Sequence, residues 1–475
     1  MVFSSPIFLF VFLPVVFVVN KLLPGRFRNT FLLLASLLFY AWGEPVYIIL
    51  MLLSVTINYG AARLMGPVEE RSARAKVFLI LSVIFNLGML FVFKYANFFF
   101  DNLNLIIGNA PEIPLIRLPI GISFFTFQAM SYSIDVYRGH TPPQKNPGNV
   151  LLYISFFPQL IAGPIVLYSD IHKQIKKREE TIEKTVSGLK RFTIGLGKKV
   201  LIANTLGAVA DKVFAADLPL SEVNAPIAWL GAVSYALQIY FDFSGYSDMA
   251  IGLAKLFGFE LKENFNYPYI SGSIKEFWRR WHISLSTWFK EYLYIPLGGN
   301  RKGMVRTAIN LLIVFFCTGI WHGAQWTFVV WGFYHGLFIM LERIGVIRPE
   351  KWKFKALGRV YTLLVAVTAF VIFRADSIGR GFSMISKMFA GWTMKPEMLT
   401  FLSTTVTPSV ILFLIIGIIG ATDLPKKWTA KIAGKAPVPA MAREIVSMAA
   451  VLIILGLCVL SLSSTAYNPF IYFRF

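Results

Sequence analysis

Apolar stretches long enough to cross a membrane recur along the whole chain. A helix needs roughly 17–25 mostly apolar residues to cross about 30 Å of hydrocarbon. Allowing for paired spans in the longest runs, the pattern predicts about eleven or twelve transmembrane helices. No long polar stretch interrupts them, so we expect one transmembrane domain over residues 1–475. The stretches are Pro6–Leu23, Phe31–Met65 with a break near Gly43, Val77–Phe100, Ile116–Ile134, Val200–Phe214, Ala228–Phe241, Ala308–Met340, Val360–Phe373, Val410–Ala421 and Ile445–Leu462.

Two segments are too polar or too short for ordinary spans. Leu151–Leu167 contains two prolines and a glycine, which predicts a re-entrant stretch or a broken helix. Lipid tolerates such irregular backbone only where protein or a water-filled cavity covers it. The second segment, Ser273–Leu297, is amphipathic and should lie in the interface or line a water-filled cavity.

The amphipathic segment carries a histidine. Ser273 followed by Glu276 is a capping-box pattern, which predicts a helix from there to about Tyr294. At 100° per residue, Trp278, His282 and Phe289 share its apolar face. A ring in that position needs a hydrogen-bond partner, so His282 is either satisfied by a backbone carbonyl or functional.

A second histidine lies inside the apolar run Ala308–Met340. If Gly323 marks a turn, His322 ends one span; if the helix continues, His322 lies near the middle of the bilayer. Ionisable residues there are functional candidates, although a structural histidine bonding across a helix interface is the alternative. Gly319 and Gly323 would let backbone or substrate approach closely. His335, further along the same run, is interpreted as structural.

Two carboxylates, Asp242 and Asp248, lie in the segment Tyr240–Asp248, at a predicted cytosolic membrane edge. One interpretation is a cavity-facing carboxylate that orients a histidine or a donor. The other is helix capping at the interface, and the sequence does not separate them.

Composition supports a membrane protein, because 56% of residues are hydrophobic and only 15% are charged, against about 25% charged in globular domains. The net charge of +21 does not indicate nucleic acid, since the basic residues lie in short loops between apolar runs. The positive-inside rule then places Lys173–Arg178 and Lys426–Lys435 in the cytosol and Tyr95–Ile116 outside. The basic residues of the segment 374–395 disagree, because they fall on the outer side.

Several common chemistries are missing. The chain has no Walker loop, GxSxG, HExxH or dinucleotide fingerprint, so we expect no bound cofactor and no metal. A histidine acting as general base toward a hydroxyl is sufficient for acyl transfer from an activated thioester.

Six motifs, spread over nearly the whole chain, resemble those of the membrane-bound O-acyltransferase family, in its bacterial alginate-acetylase-like branch. They are Leu118–Gln128, Tyr240–Gly252, Glu276–Ser286, Tyr294–Arg301, Gly319–Ala324 and Pro469–Phe473.

The resemblance implies a multi-pass protein of the cytoplasmic (inner) membrane, with helices around a central tunnel. His322 matches the family's catalytic histidine and His282 the second motif position. The donor would be a cytosolic acyl thioester, such as acetyl-CoA or an acyl carrier. The acceptor would be a hydroxyl of an extracytoplasmic polysaccharide, reached with an SGNH-type extracytoplasmic partner. The neighbouring residues that we expect to bind substrate or line the tunnel are Trp278, Trp281, Trp321, Gln325, Asp242 and Asp248.

Two alternatives remain at this stage. Within the enzyme class, the alternative is D-alanyl transfer to teichoic acid. From another class, a secondary transporter or glycan flippase would also bury histidines. Internal repeats would favour the transporter, and the two halves show no convincing self-similarity.

Overall fold

A computed structural model describes residues 1–70, 73–109, 111, 113–435, 439–464 and 467–470. Every regular element within these ranges is a helix, which confirms the all-α fold class. Ile471–Phe473 of the C-terminal motif lies outside the described residues. The chain forms two compact units, Met1–Phe192 with Ser247–Glu263 and Thr193–Tyr246 with Asn264–Phe475. The single domain over residues 1–475 stays a prediction.

The first unit contains eight helices among its described residues and parts of two more. The expected break near Gly43 is confirmed, since one helix ends at Gly43 and the next begins at Ile48. The helices are α1 (Leu13–Leu22), α2 (Gly25–Gly43), α3 (Ile48–Met65), α4 (Arg74–Leu90), α5 (Ala96–Ile107), α6 (Ile122–Arg138), α7 (Pro147–Ser155) and α8 (Tyr168–Lys176), with most of α9 (Ile182–Gly197) and the end of α11 (Ala225–Leu256).

The predicted irregular backbone in Leu151–Leu167 is confirmed, and the choice between a re-entrant stretch and a broken helix stays a prediction. Helix α7 ends at Ser155, and regular structure resumes only at Tyr168. The backbone between them is buried, and side chains bind its polar groups: Tyr153 Oη donates to the Val166 carbonyl at 2.7 Å, and Ser36 Oγ accepts from the Phe157 amide at 3.1 Å. Protein therefore covers this irregular backbone, as a membrane environment requires.

The second unit holds the remaining helices. Its described elements are the end of α9, α10 (Asn204–Val213), most of α11, α12 (Ile274–Arg280), α13 (Ile283–Phe289), α14 (Gly303–His322), α15 (Trp326–Ile344), α16 (Lys355–Arg374), α17 (Ile378–Ala390), α18 (Pro396–Thr405), α19 (Pro408–Gly420), α20 (Leu424–Lys435) and α21 (Ala440–Ser464). Turns of π-helix extend some of them, including Lys198–Ala203 after α9 and Lys290–Tyr294 after α13.

Glycines set the distance between α14 and α15. A Cβ atom on Gly319 would collide with the carbonyl oxygen of Phe328, and one on Gly332 with that of Phe315. Small residues of this kind let transmembrane helices approach until their backbones touch. The close approach holds His322, the last residue of α14, against α15.

Five helical segments in the described part of the chain are long and apolar enough to cross a membrane, and a bent pair adds a sixth. The protein is therefore a multi-pass membrane protein. The total of about eleven or twelve crossings stays a prediction, because the other helices are shorter or more polar. The central tunnel also stays a prediction. The segments are Ile48–Met65, Arg74–Ile107, Gly303–His322, Lys355–Arg374 and Met441–Ser464, with the pair Pro396–Thr405 and Pro408–Gly420.

Candidate active site

His282 lies at a break between two short helices. The continuous helix from Ser273 to Tyr294 is a wrong prediction, because α12 ends at Arg280 and α13 begins at Ile283. His282 has a φ of 43°, in the left-handed region. The predicted start is confirmed, since Ser273 Oγ accepts a hydrogen bond from the Glu276 amide at 3.1 Å.

A strip of chain preceding α12 causes the break. The Asn264 carbonyl accepts from the Ile283 amide at 2.9 Å, and the Asn266 amide donates to the Arg280 carbonyl at 2.9 Å. Backbone groups that a continuous helix would pair internally are thus paired with this strip instead. The predicted common face of Trp278, His282 and Phe289 does not exist, because the bend turns His282 away from the helical register.

Asn264 also determines which ring nitrogen of His282 carries the proton. Its Oδ1 lies 3.3 Å from His282 Nδ1 and accepts from Ser284, from the backbone amide at 3.1 Å and from Oγ at 2.9 Å. Because the Ser284 amide can only donate, the Asn264 atom facing it is the oxygen. His282 Nδ1 must then carry the proton, and Nε2 keeps a lone pair.

The environment of His282 keeps the ring neutral. The residue is 1% exposed, and the Phe243 ring contacts it edge-on at 4.5 Å between centroids. Burial, and then the nearby His322, hold the pKa of His282 well below its ordinary value. Nε2 has no hydrogen-bond partner among the described residues. The result is a neutral imidazole that presents a buried lone pair.

His322 and His282 are close neighbours joined through one indole. The Trp321 ring lies 5.9 Å from the His282 ring and 5.0 Å from the His322 ring. His322 is 7% exposed and also packs edge-on against Trp331 at 5.0 Å and Phe373 at 5.3 Å. The alternative in which Gly323 marks a turn is confirmed, since α14 ends at His322.

The space beside the two flanking glycines is filled by protein. A Cβ atom on Gly323 would collide with the ring of Phe328, and Gly319 faces the Phe328 carbonyl. Gly319 and Gly323 were expected to let either backbone or substrate approach. The approach of protein is confirmed, and room for a substrate at these two positions is a wrong prediction. Gln325 precedes α15 and is exposed, whereas the histidines are buried.

The two remaining tryptophan candidates lie in the same unit with different neighbours. Trp281, at the bend, packs on Phe265 and Phe370, each 5.2 Å away. Trp278 donates from Nε1 to His335 Nδ1 at 3.3 Å. This hydrogen bond and the complete burial of the His335 side chain agree with the structural interpretation of His335.

The interpretation of Asp242 and Asp248 as helix caps is wrong, because both residues lie well inside α11. Asp242 is buried and forms an ion pair with Lys199 at 2.7 Å. Asp248 belongs to the first unit, where it pairs with Arg191 at 2.8 Å. Neither cation was predicted from the sequence as a partner of these carboxylates. A signal was present, because Lys199 directly precedes the apolar run Val200–Phe214.

Asn264 is a third residue that sequence reasoning missed. It lies in Glu263–Pro268, ahead of the motif that carries His282, and no spacing rule connects a loop asparagine with a histidine 18 positions later. Among the described residues, no three His, Cys, Asp or Glu side chains cluster as a metal ion would require. The absence of a bound metal or cofactor stays a prediction.

Comparison with known proteins identifies close relatives. The model of the membrane-bound O-acyltransferase (MBOAT) family matches residues 52–385. The chain is 40% identical to the probable alginate O-acetylase of Azotobacter vinelandii over the full length of both proteins. It is 38% identical to the peptidoglycan O-acetyltransferase of Helicobacter pylori, covering 82% of this chain and 80% of that protein. It is 29% identical to the teichoic acid D-alanyltransferase of Bacillus subtilis, covering 53% of this chain and 65% of that protein.

Proposed function

The chain belongs to the membrane-bound O-acyltransferase family, and we propose that it moves an acetyl group from a cytosolic thioester to a hydroxyl of an extracytoplasmic polysaccharide. That it is a membrane O-acyltransferase follows from the family and its relatives, so the transporter or flippase alternative is set aside. Acetyl is preferred over D-alanyl because the acetyltransferase relatives are more similar and match more of the chain. We place the protein in the cytoplasmic membrane, where a cytosolic donor and an outer acceptor are both within reach.

The observation that supports this proposal is the pair of buried histidines on one indole. We assign the proton transfer to His322. A ring nitrogen of His322 takes the proton from the acceptor hydroxyl while its oxygen bonds to the thioester carbonyl carbon. The carbon–sulfur bond then breaks, and the proton passes to the leaving thiolate, so the products are an ester and a thiol. General-base assistance of this kind contributes about 10²–10⁴-fold in rate.

For His282 we propose that it positions the donor. Polarising a carbonyl requires an N–H, and the proton of the neutral ring is directed to Asn264. The lone pair on Nε2 instead suits acceptance of a hydrogen bond from an N–H or O–H group of a bound substrate. The pantetheine arm of an acyl thioester carries such amide N–H groups.

The test is acyl transfer by His322 variants, with His335 as matched control. His322→Ala and His322→Gln should each lose transfer by at least about 100-fold, the scale of a lost general base. His335→Gln makes the same change at a buried histidine of the same unit and should keep transfer within a few-fold. Transfer to the polysaccharide in the presence of the SGNH-type partner, and the melting temperature, are measured for all three variants in lipid nanodiscs. Near-normal transfer by either His322 variant contradicts the assignment, and a collapse of its melting temperature makes His322 structural.

A further inference from the structure

The second unit contains a cavity of about 280 Å³ beside the two short helices. This volume is near the lower end of small-molecule sites, which span about 300–1,000 Å³. Residues of α12, α13 and α14 line it, including Trp278, Leu285, Leu311 and Phe315. His282 and His322 are not among them. The cavity is therefore a feature distinct from the paired histidines.

The walls of this cavity offer almost no hydrogen bonds. Three of the lining residues, Ser286, Tyr294 and Thr318, carry hydroxyl groups. Two of these are already used: Thr318 Oγ1 donates to the Val314 carbonyl at 2.8 Å, and Ser286 Oγ to the Trp278 carbonyl at 3.4 Å. An occupant with amide or hydroxyl groups at this depth would leave them without partners, which is unfavourable. The part of a ligand that enters the cavity must be apolar.

Three cations line the same cavity. Lys275 and Arg279 are four residues apart, so they project from one side of α12. Neither forms an ion pair with any described residue, and both are exposed. Lys290 is the third, and its only described ion pair is with the adjacent Glu291 at 3.3 Å. A ligand that fills the apolar space would meet positive charge at the edge.

We propose that this cavity binds one acyl chain of an anionic phospholipid, with the headgroup phosphate at Lys275, Arg279 and Lys290. Both halves of such a lipid match the site, since the chain is apolar and the head is negative. The apolar wall is formed by α14, one of the helices able to cross the membrane, so membrane lipid can reach it directly. Basic residues beside the apolar surface of an interfacial segment are a known basis for selecting anionic lipids. The proposal does not depend on the acyl transfer reaction.

The experiment counts lipids retained by the full-length protein. The protein is reconstituted in nanodiscs of equal parts phosphatidylcholine and phosphatidylglycerol, released into mild detergent and analysed by native mass spectrometry. The wild type should retain phosphatidylglycerol in clear excess over phosphatidylcholine. Lys275→Gln with Arg279→Gln should reduce that excess at least about fivefold, because each cation near an anionic head contributes at least that much.

A matched control removes equal charge elsewhere. Lys351→Gln with Lys355→Gln changes two exposed lysines that do not line the cavity, and it should leave the excess unchanged. Val314→Trp fills the apolar space and should lower retention of both lipids; if it does not fold, the charge variants alone decide.

Three results would overturn the proposal. They are no phosphatidylglycerol excess in the wild type, an unchanged excess in the Lys275/Arg279 variant, and displacement of the retained lipid by acetyl-CoA. Displacement would make the cavity part of the donor site.

Discussion

His282 occupies the left-handed backbone region, which few residues other than glycine adopt, although asparagine, aspartate and histidine are enriched among those that do. Such a residue costs on the order of 1–3 kcal/mol and persists only where its surroundings hold it. Asn264 supplies that support, since its carbonyl binds the Ile283 amide while its side chain binds His282 and Ser284. One asparagine therefore stabilises both the bend and the protonation state of the ring.

Replacing Asn264 should change how transfer depends on pH. In Asn264→Asp a carboxylate faces His282 Nδ1, and it raises the pKa of His282 relative to the wild type. The ring then becomes protonated at a higher pH and loses its Nε2 lone pair there. We expect the acid limb of the pH–rate profile to move to higher pH. The profile of transfer rate against pH measures this.

The control for this prediction is Asn266→Asp. Asn266 is exposed and holds the bend through its backbone amide, which donates to the Arg280 carbonyl, so this variant should keep the wild-type profile. Asn264→Ala removes the bond to Nδ1 without adding charge, and it should lower the rate about 10–100-fold, as loss of a residue that orients a functional histidine does in metal sites. An acid limb that stays in place in Asn264→Asp would show that His282 does not titrate in the reaction.

Among the elements, α11 and the π-helical turn after α9 are joined by a buried ion pair. Lys199 and Asp242 have side chains 4% and 2% exposed, and Lys199 also donates to Asn204 Oδ1 and to the Pro469 carbonyl. Removing one member of a buried pair leaves an uncompensated charge, whereas removing both costs far less. This arrangement gives Asp242 a structural role at a position where the sequence left a functional and a capping interpretation open.

A double-mutant cycle separates the two tasks of Asp242. Lys199→Met should lower the free energy of unfolding by about 3–5 kcal/mol, and adding Asp242→Leu should recover a large part of it. Unfolding is followed by denaturation of the purified protein, and transfer is measured on each variant that folds. If the double variant is stable and still active, Asp242 holds α11 in place and does not bind substrate. Additive losses would show that the pair is not coupled.

At the scale of the molecule, two of the four basic residues in the segment 374–395, which disagree with the positive-inside rule, have protein partners. Arg374 pairs with Asp211 at 2.8 Å, and Arg380 donates to the carbonyls of Ala215 and Leu218. They lie at the end of α16 and on α17, a helix of 13 residues that is too short to span. A cation held by such contacts serves local structure, so its position carries less information about orientation.

The predicted orientation is tested by labelling. A single cysteine at Lys176, in a cysteine-free background, should be protected from a membrane-impermeant maleimide in intact cells and react after permeabilisation, because Lys173–Arg178 is expected in the cytosol. A cysteine at Asn104, in the segment expected outside, should react in intact cells. Labelling of the Lys176 position in intact cells would reverse the orientation.

The partner prediction also concerns the molecule as a whole. The polar outer segments are short, and the chain has no GxSxG motif, so we expect a separate extracytoplasmic transferase to deliver the group to the polymer. Purified protein in liposomes loaded with acetyl-CoA should release free coenzyme A slowly and acetylate polysaccharide poorly until an SGNH-type partner is added. Full polymer modification without a partner would contradict this expectation.

The sequence alone was enough for the features that depend on local pattern. Long apolar runs predicted the all-α membrane fold, Ser273 and Glu276 predicted the start of α12, and two prolines with a glycine predicted the irregular stretch after α7. Each of these follows from forces that act between residues close in the chain or between one segment and lipid. The six sequence motifs likewise identify the family without tertiary information.

Only the tertiary structure decided the geometry around the histidines. Local periodicity favoured a continuous helix through His282, but Asn264 and Asn266 bind the backbone there and break it. The space beside Gly323 belongs to Phe328, and the partner of Asp242 is Lys199. No periodicity records these contacts, because hydrogen bonding and packing across a core are satisfied only once the chain has folded.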